Sequence, residues 1–309
     1  MQLCTIILTF NEEDNLPACL ESLRPLASPV FIVDSGSLDT TVEIAKRFGA
    51  SVYEHPFKSH TEQWSWALAN LPLSSNWVLA LDADQRLTPE LAGEIRSATD
   101  SASNQELAGM FLNRRQVFRG RWIRHGGYYP KYLLKLFRPE CVEFDSLDLV
   151  DHHFYVSGKT RKLKNDLIEA NLKENDISFW IEKHNRYSTL LAREEILRSS
   201  QDTTHTFRSS WRNRPDYRVL ILKRVWRRLP LLFRSLFYFL YRYVLLGGWL
   251  DGQQGFIFHF LQGFWFRLLV DIKLQDLLEQ AKRDKRVSPA STPAVHATQV
   301  STQVRGSAE

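Results

Sequence analysis

Cysteine is scarce: Cys4, Cys19 and Cys141 are scattered through 309 residues, odd in number and never in Cys-x-x-Cys spacing. That excludes a disulfide framework and a structural zinc knuckle, and it fits a reducing compartment. The opening Met1-Gln-Leu-Cys-Thr has no basic stretch before an apolar run, so no secretory signal is read there. No Gly-x-Gly-x-x-Gly follows the first apolar segment and no Gly-x-x-x-x-Gly-Lys-Ser/Thr loop occurs. A dinucleotide dehydrogenase and a P-loop NTPase are therefore disfavoured. No internal repeat is evident.

What remains is a chain with 44% hydrophobic residues, enough for one large domain with an appendage. Its net charge of +5 invites an acidic partner. Leu3 to Leu8, Val30 to Val33, Ser51 to Glu54 and Trp77 to Leu81 are short apolar segments that predict strands. Between them, helices are expected with Leu16, Leu20 and Leu23, with Val42, Ala45 and Phe48, and with Trp64, Leu68 and Leu71 on their apolar faces. Asn15 is expected to cap the first, Pro17 is tolerable in its first turn, and Gly49 ends the second. Strand alternating with helix predicts an α/β fold built on a parallel sheet.

In such sheets ligands bind beyond the carboxyl ends of the strands. Polar clusters follow three of these ends: Thr9, Asn11 and Glu12; Asp34, Ser35, Ser37 and Asp39; Asp82 and Asp84. Strand side chains alternate faces, so Asp82 and Asp84 are expected to point the same way. Two hard oxygen ligands at a sheet edge suit Mg²⁺ or Mn²⁺ clamped onto a diphosphate. Acidic and amide groups at the other two ends suit a base and ribose, which offer N–H and hydroxyl donors.

Thr5-Ile-Ile-Leu-Thr-Phe-Asn-Glu-Glu, Val33-Asp-Ser-Gly-Ser-Leu-Asp-Thr-Thr and Leu81-Asp-Ala-Asp84 resemble a family 2 glycosyltransferase of the GT-A fold. Gly120-Arg-Trp-Ile-Arg-His-Gly-Gly-Tyr-Tyr-Pro, Leu134-Lys-Leu-Phe-Arg-Pro, Val150-Asp-His-His, Lys183-His-Asn-Arg-Tyr and Leu250-Asp-Gly-Gln-Gln-Gly resemble a subgroup. That subgroup assembles lipopolysaccharide core and surface polysaccharide. The resemblance covers about residues 1 to 280. Gln85 stands where Glu is often found, and Ser65 where Asn is common. A Gln-x-x-Arg-Trp motif is absent, which implies addition of a single sugar.

The resemblance implies that Asp34 takes the base while Glu12 and Asp39 hold the ribose or order the loops. Thr9, Asn11 and Ser35 join them in a nucleotide-sugar site, with Asp84 as metal ligand and Asp82 behind the ribose. An inverting transfer needs a carboxylate to take the acceptor proton. Asp151 in Val-Asp-His-His matches that position, with Asp148 as runner-up. His125 and Gly126 are expected to form an acceptor loop, and Arg186 to meet acceptor phosphate.

After Ser210 the composition turns basic and aromatic, from Arg212 through Arg228 into Leu229-Pro-Leu-Leu-Phe. Arg234, Arg242 and Arg267 interrupt the apolar stretches, so no spanning helix is expected. Helices lying in the membrane interface beside anionic head groups fit this pattern; a buried helical pair closing the domain is the alternative. Nucleic acid is disfavoured, because the stretch is apolar and carries no binding motif. The expected division is a GT-A domain over 1–205, a membrane-associating region over 206–285 and a disordered tail over 286–309.

The expected function is metal-dependent inverting transfer of a hexose from a nucleotide sugar to a glycolipid, lipid-linked glycan or lipopolysaccharide core. The protein would sit peripherally on the cytoplasmic face of the inner membrane. Transfer to a polyprenyl phosphate and a catalytically silent membrane scaffold are the alternatives.

Overall fold

The computed structural model describes residues 3–145, 147–150, 153–200 and 229–287. The first half runs β1 (Leu3–Thr9), α1 (Leu16–Leu23), β2 (Val30–Asp34), α2 (Thr41–Arg47), β3 (Ser51–Glu54), α3 (His60–Asn70) and β4 (Trp77–Asp82). Each expected strand and helix is present within a residue or two. Leu16, Cys19, Leu20 and Leu23 form the buried face of α1. Ser59 caps α3 by accepting from the Glu62 amide at 3.1 Å. Gly49 follows α2 at φ +78°, a left-handed position that glycine fills at little cost.

The chain continues through β5 (Gln85–Leu87), α4 (Pro89–Asp100), β6 (Leu107–Phe118), β7 (Arg121–Ile123) and β8 (Tyr132–Phe137). Then follow β9 (Val142–Phe144), β10 (Phe154–Val156), β11 (Lys159–Glu169) and the long helix α5 (Ile177–Ser200). Beyond residue 228 come α6 (Phe233–Leu240), α7 (Gly252–Phe258) and α8 (Phe266–Val287), with π-helical turns at Tyr241–Leu245 and His259–Trp265.

The main sheet has the order β3-β2-β1-β4-β8-β6-β11-β5, with β7 hairpinned onto β6. The pairs among β1 to β4 are parallel; β8 then enters antiparallel to both β4 and β6. Register aligns the strand ends: Thr9 lies opposite Asp34, and Leu8 opposite Asp82. Strands β1, β2 and β4 therefore stop at one edge.

Apolar residues of the sheet face a core shared with α1, α2 and α4 on one side, and a core around Trp64 and Phe154 on the other. A third core joins Phe118, Ile123, Tyr128 and Trp180 to Phe258, Phe266, Val270 and Leu274. Each such side chain, fully buried, contributes about 1.5–3 kcal/mol. The C-terminal helices are thus packed onto α5 and the β6–β7 hairpin. Arg234, 1% exposed, locks α6 to α8 and α5 through Asp271 at 2.6 Å and Glu195 at 2.8 Å.

One expectation about these helices changes. The helical run Gly248–Asp284 is long and apolar enough to cross a bilayer by length and composition, with 39% of its apolar window buried in the protein. Arg267 is the sole charged residue between Gly252 and Val270, so the interruptions thin out there.

Candidate active site

The loops after β1 and β2 are braced against each other. Asn11, in a left-handed conformation at φ +52°, donates its amide to Ser37 Oγ at 2.8 Å, and its Oδ1 accepts from the Leu38 amide at 2.8 Å. The Glu12 amide donates to Thr41 Oγ1 at 2.7 Å, and the Glu13 amide to Asp39 at 3.2 Å. Burial raises the Asp39 carboxyl, but hydrogen bonds from Thr41 and Glu13 and the charge of Lys173 outweigh it and hold it below its usual value.

Asp34 is buried and accepts four hydrogen bonds. Thr9 Oγ1 (2.8 Å) and Ser37 Oγ (2.6 Å) reach Oδ1; the amides of Gly36 (3.0 Å) and Ser37 (2.7 Å) reach Oδ2. A carboxylate has about four acceptor sites, so Asp34 is saturated by its own loop. A base at this position would have to displace one of these donors. Ser35 Oγ accepts from Gln63 at 3.1 Å, which brings α3 against the same loop.

Asn15 stands at the start of α1 but does not cap it with its side chain. Its amide donates to Glu12 (2.7 Å) and to Asn171 Oδ1 (3.1 Å), and its Oδ1 accepts from the Leu172 amide (2.8 Å). Lys173 also binds Glu12, at 2.6 Å. These bonds tie the β1 loop to the segment after β11, a tertiary demand that outweighs the local cap.

Strand β4 ends at Asp82, and Ala83 and Asp84 lie in the turn to β5. Simple alternation therefore stops before Asp84, and the two carboxylates acquire separate partners. Lys135 donates to Asp82 at 2.8 Å; Asn171 donates to Asp84 at 3.2 Å. Glu169, held by Arg114 at 2.9 Å and Gln85 at 2.8 Å, adds charge beside them. Burial, then the charges of Glu169 and Asp82, pushes the Asp84 carboxyl up to about 8 against the opposing charge of Lys183.

Among the described residues no three His, Cys, Asp or Glu side chains are gathered as a complete metal site. The donor set still fits a hard divalent cation. Asp82 and Asp84 offer carboxylate oxygens, the surplus negative charge is what a cation relieves, and diphosphate and water supply the remaining ligands.

Asp148 is buried in an ion pair with Arg198, whose guanidinium also holds Asp145 at 2.9 Å and Glu194 at 2.8 Å. His153 approaches Asp148 at 3.2 Å. Asp148 thus anchors its loop to α5, a reason for its place in the sequence other than proton transfer. Asp151 lies outside the described residues.

His125 follows β7, and both its amide (2.9 Å) and Nδ1 (2.7 Å) meet Asp251. Gly126 is a packing glycine: a Cβ there would stand 2.1 Å from Cε1 of buried His259. Arg186 is exposed on α5, while His184 of the same motif is buried and stacked on Trp180 at 3.6 Å.

Sequence spacing offers no route to Lys135, Glu169, Asn171 and Asp251. Lys135 reaches the carboxylates from β8, Glu169 from the end of β11 and Asn171 from the segment just beyond it, while Asp251 meets His125; only the phrases Leu134-Lys-Leu-Phe and Leu250-Asp-Gly hinted at two of them.

Residues 4–155 match the model of glycosyl transferase family 2. An uncharacterized glycosyltransferase of Rickettsia typhi is 37% identical over 119 residues, 38% of this chain and 40% of that one. The matched segment thus spans well under two thirds of that relative's length. The lipopolysaccharide core biosynthesis glycosyltransferase LpsC of Rhizobium meliloti is 27% identical over 271 residues, 83% of this chain and 86% of the relative. The crystal structure of S. aureus TarS 1-349 aligns with 92% of each chain at 13% identity and a TM-score of 0.39. The strand-end carboxylates and loops described above lie on an α/β scaffold, and residues 4–155 form a glycosyl transferase family 2 domain.

Proposed function

We propose that the protein is a metal-dependent inverting glycosyltransferase that moves one hexose from a nucleotide sugar to a lipid-linked glycan or lipopolysaccharide core. The observation that carries this reading is the convergence of three polar strand ends, with Asp82, Asp84 and Glu169 concentrating negative charge at one of them.

Thr9, Asn11, Glu12, Asp34, Ser35 and Asp39 shape the crevice for base and ribose. Asp34 acts there by fixing the backbone of its loop, since its oxygens are occupied. Asp84, with Asp82 beside it, would hold Mg²⁺ or Mn²⁺, whose charge stabilises the departing nucleoside diphosphate. The acceptor oxygen bonds to the sugar's anomeric carbon as the sugar–phosphate bond breaks, and its proton passes to the Asp151 carboxylate. His125, Gly126 and Arg186 belong to the acceptor side. The lipid nature of the acceptor accounts for the aromatic helices at this edge and for a peripheral position on the cytoplasmic face of the inner membrane.

The test is nucleoside diphosphate release from a panel of nucleotide sugars, with and without Mg²⁺ or Mn²⁺. Asp84→Ala is expected to abolish metal-dependent release while the protein stays folded. Full activity in excess EDTA, or in the Asp84→Ala variant, would sink the metal assignment; no release from any donor would favour a silent scaffold.

A further inference from the structure

Helix α6 is built inside out. Arg234 and Ser235 are its buried residues, whereas Phe233 (63% exposed), Leu236, Phe237 (58%) and Leu240 face outward. The apolar surface continues through Val244, Leu245 (76%) and Trp249 (56%). A water-facing helix carries the opposite distribution, and a contiguous apolar face of this extent marks an interaction site.

Beside it lies a surface of one sign. From Asn113 to Lys131 the chain has five arginines, a histidine and a lysine and no Asp or Glu. Arg114 and Arg115 pair with Glu169 and Asp166, and His125 with Asp251. Arg119, Arg121 and Arg124 are exposed, and no ion pair engages them among the described residues.

The two surfaces are fastened together. The Gly126 amide donates to the Leu246 carbonyl at 2.9 Å, and Asp251 grips His125 by ring and backbone. The arginine-bearing hairpin also adjoins the active-site edge: β6 pairs Gln116 with Glu169, and the next residue, Ala170, donates its amide to the Asp84 carbonyl.

We propose that the outward face of α6, with Trp249, and the arginine row Arg119, Arg121 and Arg124 form one docking surface for a bilayer bearing anionic head groups. This rests on the lipid-borne acceptor proposed above and supplies its geometry. Aromatic and aliphatic side chains enter the acyl boundary while the arginines meet lipid phosphates, so the catalytic edge faces the leaflet that holds the acceptor. A second copy of the chain is a poorer occupant. A two-fold symmetric contact sets each patch against itself, and would bring the unpaired arginines together.

The experiment is flotation of the full-length protein with phosphatidylcholine vesicles, with and without phosphatidylglycerol. Each arginine near an anionic leaflet is worth about 1 kcal/mol, so Arg119→Gln/Arg121→Gln/Arg124→Gln together should weaken binding to the anionic vesicles about 100-fold and leave the weak binding to neutral ones unchanged. Phe237→Ser/Trp249→Ser should instead remove the fraction that survives high salt. Both variants should retain the wild-type melting transition and metal-dependent nucleoside diphosphate release in vesicle-free solution. Loss of that release in the wild type would strike the glycosyltransferase reading, not the docking surface. Unchanged binding by the arginine variant overturns the proposal. So does retention in the bilayer after alkaline carbonate, which marks a spanning helix, or a soluble dimer that Phe237→Ser/Trp249→Ser dissociates.

Discussion

His125 and Asp251, 126 positions apart, meet through two hydrogen bonds of 2.7 and 2.9 Å, one from the imidazole and one from the backbone amide. Asp251 is buried, so these donors are what its desolvated carboxylate requires. The pair fastens the loop after β7 to the turn that begins the C-terminal helical run. It sits 4.0 Å from the imidazole of buried His259.

Asp251→Asn keeps one acceptor oxygen and turns the other into a buried amide donor that faces a His125 N–H. The expected cost is about 1–3 kcal/mol of folding stability, read as a lower urea midpoint at unchanged slope. A variant with the wild-type midpoint would show that the contact is not maintained in solution.

His259 should make stability pH-dependent. Burial, then the charges of Arg242 and His125, lower its imidazole to about 4 despite the opposing charge of Asp251. The unfolded chain takes up a proton near pH 6.5 that the folded protein refuses until about 4, so the unfolded state binds more protons between these values. The associated stability is present above pH 6.5 and is lost as pH falls toward 4, up to about 3 kcal/mol. Urea unfolding at pH 7 and pH 4.5 should show a smaller loss for His259→Phe than for wild type. Equal losses in the two proteins would place the acid-sensitive group elsewhere.

Two glycines separate conformational strain from collision. Gly36 (φ +87°) has open space around a would-be Cβ, whereas Gly126 (φ +65°) has His259 at 2.1 Å. Gly36→Ala should cost about 1–2 kcal/mol, the left-handed penalty alone. Gly126→Ala adds overpacking, typically a further 1–3 kcal/mol, and should melt clearly lower. Similar melting temperatures for the two variants would contradict the tight approach of His259.

Asp148 and Asp151 should separate by readout. Asp151→Asn is expected to lower kcat by about 10²–10⁴, the worth of a positioned base, with donor binding retained. Asp148→Asn removes a buried partner of Arg198. It should lower the melting temperature, with a kcat effect no larger than that loss of folded protein explains. A crippled but fully stable Asp148→Asn would move proton transfer to Asp148.

Much of the fold is legible in residues that act locally. The apolar run Trp77–Leu81 is too short for a typical helix and of the right length for a buried strand, and Gly49 supplies the left-handed residue that ends α2. Three polar strand ends could be aligned because parallel β-α units place their carboxyl ends on one edge. The same reasoning fails for Asp84, which lies past the strand where alternation no longer governs direction, and for Asn15, whose side chain is drawn away by Asn171 and Glu12.

The sequence by itself determined the α/β order of the first half, the edge at which its polar residues gather and the family resemblance. Each depends on periodicity or on neighbours within a few positions, so physical chemistry acts on it before the chain is folded. Only the tertiary structure decided the partners. It placed Lys135 on Asp82, Asn171 on Asp84 and Arg198 on Asp148, and it brought Asp251 to His125. It also turned the polar side of α6 inward, because the buried carboxylate of Asp271 draws in Arg234, and so left Phe233 and Phe237 outside. Charge pairing across tens to hundreds of residues carries no spacing rule, and the packed helices alone select which side of an amphipathic segment meets the protein.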